Sequence, residues 1–206
     1  MTDTISAFLF EALDIRGSIV QLDATWKAIQ ARRDYPRPVG ALVGQMCAMS
    51  VLIAANLKQP GRLTFQLSGT GSVPLLVVDC NEALNVRGFA KHGPITSITL
   101  ADLLGDGKLL MSLDAQDATQ PYQSYVPIEG TTLSDVFQSY LTRSEQQATM
   151  LILAANERAA AGLLLQKLPD ADQRDPDGWN RISLLAQTLK DSELLELSAA
   201  SLLERL

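Results

Sequence analysis

The chain has 206 residues, 47% of them hydrophobic and 19% charged. That suffices for one large domain, or one domain with an appendage, and excludes a disordered chain. The formal net charge of −6, with no basic run against it, repels phosphate backbones and argues against a nucleic-acid partner.

The opening MTDTISAFLFEALDIRG is acidic. It has neither a basic n-region nor a small-residue cleavage site, so it does not read as a secretory signal. Residues 6–13 are short and apolar and lead into DIRGSIVQLD, where Ile15, Ile19 and Leu22 stand among polar residues as in a strand. Residues 23–33 read as a helix that Asp23 or Thr25 can cap, with Trp26, Ala28 and Ile29 as its apolar stripe. DYPRPV ends it, because each proline drives its predecessor out of the α region.

Pro38 suits a helix start, and residues 39–57 carry no charge. A membrane span is one reading, with Gly40-x-x-x-Gly44 imitating a membrane dimer motif. The other is a helix buried on all sides and sandwiched between layers. Gln45, Asn56 and the near-neutral alanines and glycines favour burial, and no other segment could span. Gly40 and Gly44 would then permit close backbone approach.

A β-rich region follows. RLTFQLSG places Leu63, Phe65 and Leu67 on one face, Gly69-Thr70-Gly71 turns the chain, and PLLVVDC reads as a strand buried on both faces. LNVRGFAKH is a further strand, and ITSITLADLLG a short helical or looped piece. KLLMSLD and QPYQSYVPIE form a hairpin around the polar loop AQDAT. Thr132, with Asp135 three residues on, starts a helix bearing Val136, Phe137, Tyr140 and Leu141 and ending near Gln147. TMLILAAN and AGLLLQKLP are two strands around Glu157-Arg158. DADQRDPDG at 170–178 marks a boundary between a body, residues 1–169, and a tail, residues 170–206. The tail reads as one or two amphipathic helices with a break at Asp191-Ser192-Glu193, and its leucines need a surface to lie on.

Reactive chemistry is sparse. Cys47 and Cys80 each lie in an apolar run, the setting of buried reduced thiols. A disulfide between them stays open, although nothing suggests a secreted scaffold, and a reducing cytoplasm fits best. Gly69-x-Gly71 has Pro74 where a dinucleotide fingerprint needs its third glycine, and Gly105-Asp106-Gly107-Lys108 lacks P-loop spacing. No G-x-S-x-G occurs. His92, the only histidine, reads as a solvated turn residue without a nucleophile partner. Cys47, Cys80 and His92 lack the paired spacing of a zinc site. Asp102, Asp106, Asp114 and Asp117 read as solvated loop residues. In YLTRSEQQAT, Tyr140, Arg143, Ser144 and Glu145 are catalytic in type. However, Tyr140 and Ser144 share one helix face and form no nucleophile–base pair. A structural role is expected, fixing the helix end against the next strand or a partner subunit. No catalytic, cofactor-binding or metal-ligating residue is nominated.

The segments FLFEALDIRGSIV, DYPRPVGALVGQMCAMSVLIAANLK, GRLTFQLSGTGSVPLLVV, NVRGFA, YQSYVPIEGTTLSDVFQSYLTRSEQQAT and AAAGLLLQKLP run nearly end to end. In wording, order and spacing they resemble the heat-shock protein 33 family. One departure is Ala161-Gly162, where the family usually has paired glycine, a loss of backbone freedom in a turn or bulge. The resemblance implies an ATP-independent holdase for unfolding client proteins under oxidative or heat stress, typically a homodimer. It also implies a C-terminal module binding one zinc through four cysteines, a C-x-C and a C-x-x-C pair, whose oxidation unfolds it. Those ligands are absent from these residues, and Cys47 and Cys80 match none of them. The expectation is therefore a truncated chain, or a member without the switch, that binds clients without thiol control. The implied fold has two β-layers around a buried helix.

The expectations are an α+β fold, with two sheet layers around the helix at 39–57 and a helical C-terminal tail. Unfolded clients and a second copy are the expected partners, with no nucleic acid, membrane or cofactor. The leucines of 184–206 either cover part of the client surface or complete the core. The competing classes are a plain dimerising module and an enzyme, the latter requiring a polar-lined pocket with perturbed acids.

Overall fold

The computed structural model describes residues 2–57, 59–115 and 119–206. The chain runs β1 (Thr4–Phe10), β2 (Ile15–Leu22), α1 (Ala24–Gln30), α2 (Arg37–Ala55), β3 (Gly61–Ser68), β4 (Leu75–Cys80), β5 (Val86–Lys91), α3 (Leu100–Leu104), β6 (Lys108–Ala115) and β7 (Tyr122–Val126). It continues with α4 (Leu133–Glu145), β8 (Thr149–Ala155), β9 (Ala160–Lys167), α5 (Ala171–Arg174), α6 (Gly178–Gln187), α7 (Asp191–Glu196) and α8 (Ala199–Leu203). Two antiparallel sheets result, ordered β1-β2-β9-β8 and β5-β4-β3-β6-β7. The segment at 6–13, expected only to be apolar, is mostly strand β1.

Helix α2 lies between the sheets. Val39, Val43, Met46, Met49 and Leu52 share one core with Val20 and Leu164 of the first sheet and Phe65 and Val78 of the second. A helix apolar on every side is stable in water only when covered on every side, and both sheets cover it. Its length and composition would also suit a membrane span, but here it is the core helix. Gly44 lets it approach the β8–β9 hairpin, since a Cβ there would sit 2.7 Å from Ala155 Cβ. Gly40 has no such role, because its nearest neighbour would be Tyr35 Cβ at 3.7 Å. Gly162 lies within a regular strand, where a Cβ would meet Leu52 Cδ1 at 2.7 Å. Close approach of α2, rather than the expected turn or bulge, explains the glycine there.

Strand β3 alternates as its sequence predicts. Strand β4 is not buried symmetrically: Leu76, Val78 and Cys80 enter the core, whereas Asp79 lies on the other face. Asp79 is buried only because Arg62 and Arg87 close over it, the Arg87 guanidinium at 2.7 Å. The β6–β7 register runs from Leu109↔Val126 to Leu113↔Tyr122, and residues 116–118 of the connecting loop, with Asp117, lie outside the described residues. Helix α4 has the expected capping box: Thr132 Oγ1 accepts from Asp135 N–H at 3.1 Å, and Asp135 Oδ2 accepts from Thr132 N–H at 2.9 Å. Helix α1 is capped differently from expectation. The carboxylate of Asp3 accepts from Asp23 N–H at 2.7 Å and Thr25 N–H at 3.1 Å, while Asp23 makes no side-chain cap bond.

The edge of β8 is closed by α4. Gln138 Oε1 accepts from Leu151 N–H and Ser134 Oγ from Leu153 N–H, both at 3.0 Å. These amides therefore point out of the sheet. Backbone direction alternates along and across an antiparallel sheet, and one row is Leu151↔Leu164, Leu164↔Ser18 and Ser18↔Ala7. Ile5, Ala7 and Leu9 of β1 accordingly direct their N–H and C=O groups outward at the opposite edge.

Candidate functional site: an apolar sheet face under a helical tail

Strand periodicity builds the site. One face of the four-stranded sheet meets α2, so the alternate residues meet whatever lies outside. These are Phe8 and Phe10 of β1, Ile15 and Ile19 of β2, Ala161, Leu163 and Leu165 of β9, and Met150, Ile152 and Ala154 of β8. Gly17 belongs to the same face, and Phe8 occupies its empty place: a Cβ on Gly17 would fall 2.2 Å from Phe8 Cζ. Phe8 meets Phe10 edge to face, with centroids 5.3 Å apart.

The tail lies on this face. Ile182 and Ala186 of α6, Leu189, Leu194 and Leu195 around α7, and Leu202 of α8 are buried against it. Full burial of such a leucine or isoleucine contributes about 1.5–3 kcal/mol. The two helix breaks fall at 188–190 and 197–198, not at 191–193, because Asp191 and Glu193 open α7, where Glu193 accepts from Lys190 N–H at 2.9 Å. The acidic boundary segment contains α5, with Ala171 buried.

Directed bonds between tail and sheet are few. Near the boundary, Arg174 donates to Glu11 O at 2.5 Å, Lys167 pairs with Asp172 at 2.6 Å, and Asp14 accepts from Asp170 N–H at 3.1 Å. Beyond residue 178, among the described residues, Gln21 alone joins the two by hydrogen bond, donating to Leu194 O at 2.9 Å and Leu197 O at 2.7 Å. The pairs Arg181–Asp175 and Arg205–Glu193 stay within the tail.

The residues of 140–149 diverge rather than converge. Arg143 pairs with Glu129 at 2.7 Å, Ser144 donates to Leu141 O at 3.4 Å, and the Tyr140 hydroxyl lies 4.0 Å from Met111 Sδ. Glu145 accepts from Gln166 Nε2 at 2.6 Å, and Gln166 Oε1 accepts from Arg16 at 3.0 Å. The helix end is thus tied to β9. Ser134 and Gln138, which hold β8, were not singled out by sequence reasoning, and a polar i, i+4 pair in an amphipathic helix offers little to distinguish it from a solvated face.

Cys47 and Cys80 are buried free thiols. Burial pushes both thiols up, Cys80 to about 11, with Asp79 adding to it. His92 is half-buried, its Nδ1 3.0 Å from Gly93 O and its ring edge-on to Tyr35. Among the described residues no three His, Cys, Asp or Glu side chains are grouped to hold a metal. Two protonated core thiols do not make a four-thiolate zinc site.

Two sheets around a buried helix, with a helical cover on one outer face, define the class: this is the fold of the 33 kDa chaperonins. The crystal structure of the 33 kDa chaperonin from Thermotoga maritima superposes with a TM-score of 0.83 at 19% identity, over 98% of this chain and 73% of that one. A model of the family described as Hsp33 protein matches residues 3–206. The 33 kDa chaperonin of Methylobacillus flagellatus is 43% identical over 209 residues, spanning all of this chain and 71% of that protein. That of Chromobacterium violaceum is 42% identical over 207 residues, 99% of this chain and 70% of that protein. The chain belongs to the Hsp33 family of chaperones.

Proposed function

We propose that this chain is an ATP-independent holdase body that binds unfolding polypeptide under heat or oxidative stress, in the cytoplasm and as a homodimer. The outer face of the four-stranded sheet carries this reading. It is contiguous and apolar; helices α6–α8 lie on it through apolar side chains, and among the described residues beyond 178 only the two bonds from Gln21 to the end of α7 are directed. Lifting the tail offers a client apolar area worth about 25 cal/mol per Å², and contiguous apolar patches of this kind mark interaction sites. Thiol oxidation does not control this chain, whose two cysteines are buried and protonated, and it holds no metal or cofactor of its own. Catalysis has no part in the function.

The test is light scattering of a thermally aggregating client, with and without reductant. Equal suppression in both supports the proposal. Suppression only after peroxide overturns the freedom from redox control, and none in either overturns client binding. Truncation before Gly178 addresses the cover: a folded body with stronger client binding supports it, whereas unfolding means that the tail completes the core.

A further inference from the structure

The five-stranded sheet packs its inner face on α2, and its alternate residues point away from the molecule. The register sets Phe89, Val77, Gln66, Leu110 and Tyr125 in one row across all five strands of that outer face. The four apolar members of the row belong to neither core. Tyr125 is 68% exposed. At the other end of the row the Arg33 guanidinium covers Phe89, 4.3 Å from its ring centroid.

Cations flank this row on both sides. Two residues along the strands, about 7 Å away, Lys91 and Lys108 stand at the ends of the row that contains Leu75 and Ser68. Two residues in the opposite direction stands Arg87, with Arg62 one step beyond it. The carboxylates of the face are Asp79, which Arg62 and Arg87 share, and Asp114, opposite Arg62. Among the described residues Lys91 and Lys108 pair with no carboxylate. The face is thus cationic on a chain whose net charge is −6.

A partner on a sheet face meets side chains, not the free backbone groups of an edge, so it must satisfy its own backbone. A helix does so, and an unfolded segment does not. The apolar row spans about 19 Å at the usual strand spacing, the length of about 13 helical residues. We propose that this face docks an acidic amphipathic helix of a partner protein. Its apolar stripe lies along Val77, Leu110 and Tyr125, and its carboxylates reach Lys91 and Lys108 on one side and Arg87 on the other, a complementarity that selects this charge over its opposite. Nucleic acid fits less well, because stacked bases need open aromatic faces and Phe89 is covered. The surface is separate from the sheet face under the tail, and the proposal goes beyond the holdase reading without resting on it.

Fluorescence anisotropy of labelled peptides added to the full chain tests it. The first probe is a helical peptide of that length with leucines at i, i+3, i+4 and i+7 and glutamates on its flanks. The second replaces each glutamate by lysine, the third scrambles the first so that no helical period remains, and the fourth is a single-stranded oligonucleotide. The acidic helix should bind, and more weakly as salt rises, while the lysine helix and the scrambled peptide should not. Lys91→Glu with Lys108→Glu, both at exposed positions, should weaken binding of the acidic helix at least about tenfold. Circular dichroism and suppression of client aggregation should be unchanged in that variant. Should it fail to fold, Lys91→Ala with Lys108→Ala should weaken binding in the same direction. Equal binding of the scrambled peptide assigns the site to extended chains and overturns the helix dock. Binding of the oligonucleotide in preference to the peptide assigns it to polyanions and overturns it too. Binding of the acidic helix that is indifferent to both pairs of substitutions, or no binding at all, overturns the proposal while leaving the holdase reading untouched.

Discussion

Gln21 and Leu194 stand 173 residues apart and are joined by a hydrogen bond of 2.9 Å, and the same amide reaches Leu197 O. One strand side chain thus meets the carbonyls at the C-terminal end of α7, a helix end that leaves such groups without partners of its own. Gln21→Leu should release the tail locally, costing about 1–3 kcal/mol for the partly buried acceptors left unmet. Amide exchange around 194–202 should quicken while β9 stays protected. Uniform quickening throughout the chain would instead make the tail part of one cooperative core.

Two glycines on one helix should respond oppositely to alanine. Gly44→Ala forces a Cβ to 2.7 Å from Ala155 Cβ and should cost about 1–3 kcal/mol through overpacking. Gly40→Ala meets nothing nearer than 3.7 Å and should be neutral or stabilise by up to about 1 kcal/mol through helix propensity. Urea melts of the two variants would show midpoints moving in opposite directions, or refute the contrast.

The Arg62 guanidinium holds Asp79 below the ordinary 3.8, with Arg87 adding to the effect and burial opposing it. A folded-state value lower than the unfolded one gives stability that is fully present above 3.8 and lost as pH falls through the depressed value. Asp79→Asn should therefore lose about 1–3 kcal/mol at neutral pH. The gap from wild type should close only in strong acid. A gap independent of pH down to full protonation would contradict the ion-pair origin.

Both thiols should resist labelling in the folded chain. Burial raises Cys47 and Cys80 above the usual thiol range, and the thiolate is the reactive form. Mild alkylation at neutral pH should modify neither until denaturant is added. Rapid modification of either one in the native chain would show that the core opens readily.

The central helix was legible because nineteen uncharged residues after a proline can be satisfied in water only by burial. The capping box at Thr132 and the alternation of β3 were equally plain, since both are local patterns. Relationships that depend on distant segments were not. Asp3 caps a helix whose N-cap residue lies twenty positions later, the acidic boundary segment carries a short helix with Ala171 buried, and Gly162 answers to Leu52 across the core. The tail's need for an apolar surface could be read from its leucines, but which sheet face received it depended on the β2–β9–β8 pairing, a non-local feature.

The position of α2 in the chain bears on how the protein is made. The helix is complete at Ala55, yet β8 and β9, which cover one of its sides, begin at Thr149 and Ala160. At about 5–20 residues per second, synthesis leaves that side bare for roughly 5–20 s. During that interval the nascent chain displays an apolar helix of membrane-spanning length. A protein of the chaperone family thus passes, during its own synthesis, through a stage that exposes apolar surface its finished fold hides.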